Sequence, residues 1–171
     1  LAATRPIQTL LMAMSSYQAT ETYWPDRQPF VISRAGAPGV QRYAHTWTGD
    51  NRTSWKTLKY NVPMGLGLSL SGFFNFGHDI GGFVGPTPEP ELFLRWVQSG
   101  IFNPRFSINS WRQAGPEEAP WMHAEVVDDV RDALRFRDRL LQRDALRFRD
   151  RLLPYLYSLL HIGEKEGIPP I

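Results

Sequence analysis

Four short apolar runs alternate with helical stretches in this chain, and each run stops at a side chain able to do chemistry. Residues 29–33 precede Arg34, residues 43–48 precede Asp50, the region 66–76 precedes Asp79, and residues 105–108 precede Asn109. Ile7, Leu10, Leu11 and Met14 follow Pro6 at helical spacing and predict a helix over 6–23, broken at Trp24-Pro25-Asp26. Thr53 or Ser54 can cap a second helix running toward Met64. Glu89 or Glu91 begins a third, carrying Leu92, Leu94, Trp96 and Ile101, and residues 124–162 read as helical with an interruption at Pro154. The order helix, strand, loop, strand, helix, strand, helix, strand, helix calls for an α/β fold with parallel strands.

The chain has 171 residues, of which 42% are apolar and 21% charged, enough for a domain with a core of its own. A formal net charge of +2 gives no case for nucleic acid, and no apolar run reaches the roughly 20 residues of a membrane span. Neither partner is expected. There is no cysteine, hence no disulfide or thiolate chemistry, and no signal peptide is visible; both fit a cytoplasmic setting. The four histidines show no metal-ligand spacing, and Gly65, Gly67 and Gly72 do not make a dinucleotide loop. No cofactor is expected. The chain starts at Leu1 and stops at Ile171, so both ends look cut from something longer.

An 11-residue unit at 131–141 recurs unchanged at 143–153, with Gln142 between. A shift of 12 residues is about 3.3 helical turns, so the second copy faces about a third of a turn away from the first. A solenoid needs longer units and more of them, so the repeat reads as a local tandem duplication. Its arginines could mark a basic binding helix, but Asp138 and Asp150 are interleaved with them.

Two of the run ends pair a carboxylate with aromatics: Tyr43-Ala44-His45-Thr46-Trp47-Thr48-Gly49-Asp50 and Phe73-Phe74-Asn75-Phe76-Gly77-His78-Asp79. An aromatic face covers the C–H side of a sugar while carboxyl groups handle the glycosidic oxygen, so the pairing suits a carbohydrate pocket. Each acid also has an ordinary reading. Asp50 in Gly-Asp-Asn is good turn chemistry, and Asp79 could hold a tight turn by an Asx bond. Arg34 closing an apolar run needs a partner, either a carboxylate or a substrate hydroxyl. Asn51-Arg52-Thr53 is formally a glycosylation acceptor, and its place beside Asp50 makes it incidental.

Taken together, Phe30-Val31-Ile32-Ser33-Arg34, Gln41-Arg42-Tyr43, Trp47-Thr48-Gly49-Asp50-Asn51, His78-Asp79-Ile80-Gly81-Gly82-Phe83 and Leu94-Arg95-Trp96 resemble glycoside hydrolase family 31, the family of α-glucosidases and α-xylosidases. Pro104-Arg105-Phe106-Ser107-Ile108 and Pro154-Tyr155-Leu156-Tyr157 extend the resemblance across nearly the whole chain. It implies the C-terminal half of a (β/α)8 TIM barrel, about strands five to eight, with residues 1–171 as one partial catalytic domain. It also implies a retaining enzyme with an α-glycoside or oligosaccharide as substrate. By the same resemblance Asp50 matches the general acid/base, Arg34 a hydroxyl-binding arginine, and Trp47 an indole packed on the sugar. Asp79 matches an acid shaping the subsite of the cleaved sugar, and Phe83 an aromatic lining it. Asn109 stands where many members carry a histidine; it can still donate and accept but cannot carry charge. The nucleophile would precede this chain, in the missing N-terminal half of the barrel. Two rival readings are a non-catalytic sugar-binding remnant and an interaction protein using the repeated helix.

Overall fold

The computed structural model describes residues 4–112 and 118–141. The chain divides into two compact units, Leu1–Arg131 and Asp132–Ile171. The first holds every strand among the described residues, and in the second the described residues 132–141 are helical.

Helix α1 (Arg5–Tyr23) starts with a proline in its first turn, where the missing N–H costs nothing, and closes with the Trp24 N–H on the Thr20 carbonyl. Its inward side buries Ala13, with Leu10 beside it, against Ala37, Val40 and Ala44. Gly39 adopts φ +101° at this contact, a backbone that favours glycine, and Leu10 packs on its open side.

The four predicted strands are present as a short parallel ladder. Ser33 N–H bonds the His45 carbonyl and His45 N–H bonds the Val31 carbonyl, which pairs the 31–33 segment with the next one through an Ile32–His45 bridge. Strand β1 (Thr46–Trp47) pairs in parallel with β2 (Phe76–Gly77), Thr46 opposite Phe76. Strand β3 (Asp79–Ile80) continues the β2 segment past His78 and pairs in parallel with β4 (Ser107–Ile108). Arg105 N–H on the Phe76 carbonyl joins the two pairs. The segments therefore lie side by side in sequence order, and the second, third and fourth are linked through helices, as a repeated β-α unit requires.

Helix α2 (Trp55–Leu70) is capped by Ser54, whose Oγ accepts from the Thr57 N–H at 3.1 Å. Thr53, the alternative cap, is spent elsewhere. The third strand was expected over 66–76, yet residues 66–70 are helical. Leu66-Gly67-Leu68-Ser69-Leu70 imitates the period of a strand, but it follows a helix already under way. Extending that helix gains a hydrogen bond per residue, without the cost of a new nucleus. The outward position of Leu70, 90% exposed, agrees with the tail of a surface helix. Only after the turn at Gly72 does the chain become extended. Helix α2 lies close on the sheet, because a Cβ on Gly65 would stand 2.5 Å from the Phe76 ring.

Helix α3 (Pro90–Gly100) begins at Glu89 and buries Leu92, Phe93, Leu94, Trp96, Val97 and Gly100. Its near-continuous apolar stretch is the mark of an element covered on more than one side. Helix α4 (Val127–Arg139) carries Asp128 and Asp129 in its first turn and Arg137 and Arg139 in its last, the distribution its dipole favours. Arg131 pairs with Asp128, and Arg135 with Asp132 at 3.4 Å. Two arginines of the first copy of the repeat, Arg131 and Arg135, thus meet acids of the same helix. The second copy and Pro154 lie outside the described residues.

Two glycines give opposite predictions. A Cβ on Gly77 would fall 2.0 Å from the Arg105 carbonyl oxygen on the neighbouring strand. Gly77→Ala should cost about 1–3 kcal/mol, the usual range for overpacking. A Cβ on Gly67 meets nothing within 4 Å, so Gly67→Ala should stabilise the helix by up to about 1 kcal/mol. Urea melts of the two variants check both signs; equal effects would refute the strand register.

Candidate active site

Alternation along residues 76–80 sorts side chains onto two faces of the sheet. Phe76 and His78 point toward α2, where both approach Gly65, and Ile80 meets Gly100 of α3. Asp79 therefore belongs to the opposite face. It is fully buried, and one of its oxygens, Oδ1, accepts from Arg105 Nη1, Arg105 Nη2 and Asn109 Nδ2, each at 3.4 Å. Its second oxygen, Oδ2, is buried with no partner among the described residues. Burial pushes the carboxyl above its ordinary value, while Arg105 and Asn109 pull it down and the charge of Asp50 pushes it up. The Arg105 guanidinium also lies 5.5 Å over the Trp47 ring, so Trp47, Arg105, Asp79 and Asn109 form one connected group.

Asp50 follows β1 on the loop opened by Gly49, whose φ of +83° favours glycine. Its Oδ1 lies 3.3 Å from Arg34 Nη1, with the two side chains 51% and 60% exposed. Arg34 thus finds the carboxylate partner its place in the sequence demanded. At such exposure the pair contributes at most about 1 kcal/mol, so its importance lies in orienting two exposed groups rather than in stability. Phe83 is fixed through its main chain: its N–H bonds the Asn51 carbonyl at 2.6 Å and its carbonyl accepts from Trp111.

The structure brings Arg34 to Asp50 and brings Trp47, Asp79 and Asn109 together through Arg105. Arg105 was visible in the sequence only as a cation opening the last apolar run; its partner lies 26 residues away, which no local pattern encodes. Arg112 and Glu118 were also not foreseen. They form a buried ion pair, and Arg112 donates to the carbonyls of Gly82 and Gly85, which ties down the turn between Asp79 and β4. Burial lowers the pKa of Arg112. A cleft of about 530 Å³ lies on the helix side of the sheet, lined by Asn61, Phe74, Phe76, His78 and Phe102, and includes none of the foreseen site residues. No cluster able to hold a metal ion occurs among the described residues.

Behind the carboxylates runs a polar chain. Asn51 Nδ2 donates to Thr48 Oγ1 at 2.9 Å and to Asn61 Oδ1 at 3.2 Å, and Thr48 Oγ1 meets His78 Nδ1 at 2.9 Å. Thr53 Oγ1 donates to the Gly81 carbonyl. The formal glycosylation acceptor is therefore closed in the folded chain, because the Asn51 amide is fully engaged.

His78 is pushed down to about 4, chiefly by burial. A neutral ring in the fold and a reference value of 6.5 make stability fall as pH drops from 6.5 to about 4, by up to about 1.4 kcal/mol per pH unit. Asp79 acts in the opposite sense: its raised pKa makes the fold gain stability as pH falls toward the ordinary carboxylate value. The His78 share is read as the difference between the unsubstituted chain and His78→Gln. Melts across this window should show a flatter acid slope for the variant, and parallel slopes would refute the neutral buried ring.

The glycosyl hydrolases family 31 TIM-barrel domain matches residues 2–159. The chain is 42% identical over 142 residues to neutral alpha-glucosidase AB of Mus musculus, covering 83% of this chain and 14% of that protein. It is 35% identical over 160 residues to alpha-glucosidase 2 of Bacillus thermoamyloliquefaciens, covering 93% of this chain and 19% of that one. A solved glucosidase II alpha subunit in its DNJ-bound form superposes with a TM-score of 0.74 at 34% identity, over 80% of this chain and 15% of that one. The chain thus spans less than a fifth of the length of these proteins. Its α/β ladder is part of a TIM barrel, and the chain belongs to glycoside hydrolase family 31.

Proposed function

We propose that residues 1–171 form the C-terminal part of the catalytic barrel of a retaining α-glycosidase, acting on α-glucosides or related α-glycosides. The observation that carries this reading is the pair of acids, one just past β1 and one within the neighbouring ladder strand, with different surroundings. Asp50 is exposed beside Arg34, and Asp79 is buried with one oxygen unused. The names of the relatives, alpha-glucosidases, support the substrate class.

In this mechanism a carboxylate from outside the chain attacks the anomeric carbon. The bond to the leaving oxygen breaks as Asp50 delivers its proton to that oxygen. Asp50, now ionised, takes a proton from water, and the resulting hydroxide equivalent displaces the enzyme carboxylate from the sugar. Asp79 Oδ2 accepts from a sugar hydroxyl, Trp47 offers its ring to the sugar's C–H face, and Arg34 steadies Asp50. Asn109 supports Asp79 and is free to donate to a hydroxyl of its own. Sugar binding without hydrolysis is the second reading, favoured by the fact that the Trp47–Arg105–Asp79–Asn109 group is complete within the chain.

The 171-residue chain should not turn over an aryl α-glucoside; turnover that disappears in Asp50→Ala would place the nucleophile inside it. In a chain extended upstream, Asp50→Ala should lose about 10²–10⁴-fold in kcat/KM for glycosides with poor leaving groups. The loss should be much smaller for activated aryl glycosides, which need no proton. Equal losses for both substrate types would reject Asp50 as the acid.

A further inference from the structure

Asp50 and Phe83 are carried on loops that other residues must hold in place. We propose that Asn51 is the positioning residue of this site, locking the loop of Asp50 to the loop of Phe83. The proposal rests on the sugar-site reading given above and assigns the residue that holds that site in shape.

Asn51 is engaged at both its ends. Through the side chain, the two amide hydrogens reach Thr48 Oγ1 at the end of β1 and Asn61 Oδ1 within α2. Through the main chain, its carbonyl accepts from Phe83 N–H at 2.6 Å and Val84 N–H at 3.1 Å, and its own N–H bonds the Gly49 carbonyl at 2.9 Å. Asp50 sits between Gly49 and Asn51, so its backbone is clamped although its carboxyl is exposed. The return contact, Thr53 N–H on the Val84 carbonyl at 2.9 Å, closes the two loops into a short ladder.

The anchors behind Asn51 are themselves fixed. Asn61 is 1% exposed. Thr48, having accepted from Asn51, can give its one hydroxyl proton to His78 Nδ1, the residue that precedes Asp79. One polar chain therefore starts beside Asp79, passes behind the sheet, and ends on the loops that carry Asp50 and Phe83. Only an amide fits the middle of this chain. Aspartate offers two acceptors where two donors are needed, and alanine leaves Thr48 and Asn61 with unmet groups in a covered place.

The test measures amide hydrogen exchange in the 171-residue chain, comparing Asn51→Ala, Thr48→Val and Thr48→Ser with the unsubstituted protein. Ser33, His45 and Thr46, whose N–H groups lie in the sheet ladder, report global opening. If Asn51 positions the loops, Phe83, Val84 and Thr53 exchange about tenfold faster or more in Asn51→Ala, beyond any change at the sheet amides. Thr48→Val shows the same selective pattern, and Thr48→Ser, which keeps the hydroxyl, restores it. Should Asn51→Ala not fold, the Thr48 pair still decides. Uniform acceleration at all amides, or none at Phe83 and Val84, overturns the proposal. A glucose titration by NMR on the same proteins adds the functional half: affinity should fall about tenfold or more in Asn51→Ala. Unchanged affinity also overturns it. An unsubstituted chain that does not bind glucose sinks the sugar-site reading instead, and the exchange comparison does not depend on that result.

Discussion

The parallel ladder through residues 75–80 is the constraint on which the rest depends. It pairs with the preceding strand at Thr46–Trp47 and with the following one at Ser107–Ile108. Because successive side chains point to opposite faces, this one segment decides that His78 lies under α2 and Asp79 lies on the far side. A slip of one residue would exchange them. It would put a carboxylate against Gly65 of α2, and an imidazole where Arg105 waits. The close approach of α2 at Gly65 and of α3 at Gly100 makes such a slip costly, since each helix is fitted to a particular side chain on the strand.

Burying Asp79 completely is expensive unless the charge is met, and the structure meets half of it. Arg105 and Asn109 bind one oxygen and leave the other open. A group left in that condition raises the free energy of the empty site and lowers that of any complex that supplies a donor. In the proposed function that donor is a sugar hydroxyl. The opposite holds at Asp50, which is exposed and paired with a single arginine. The function proposed above gives these two differently surrounded carboxyls different tasks: Asp79 for holding, Asp50 for transfer.

The loops after the strands carry little regular structure, yet they are tied at many points. Asn51, Thr53, Trp111 and Arg112 each bond the main chain of residues 81–85. These bonds are polar and local, so the segment keeps its shape without a large apolar core of its own. Gly81, Gly82 and Gly85 all take positive φ there, the backbone that lets so many donors reach it.

The alternation of apolar runs and helical stretches was enough to determine an α/β chain with parallel strands, because sheet period and helix period are local properties of the side-chain order. The position of Arg34, Asp50 and Asn109 just after those runs was equally legible, and so was the family resemblance, whereas Asp79, read as following its strand, lies within the ladder as the first residue of β3. Leu66-Gly67-Leu68-Ser69-Leu70 was misread because its alternation fits a strand, while its conformation was set by the helix that runs into it. The pairing of Asp79 with Arg105, the buried contact of Arg112 with Glu118, and the double role of Asn51 were decided only by tertiary structure. Each joins groups 3 to 33 residues apart whose meeting depends on strand register and loop path, and a charge or an amide in a sequence does not say which partner will remove it from water.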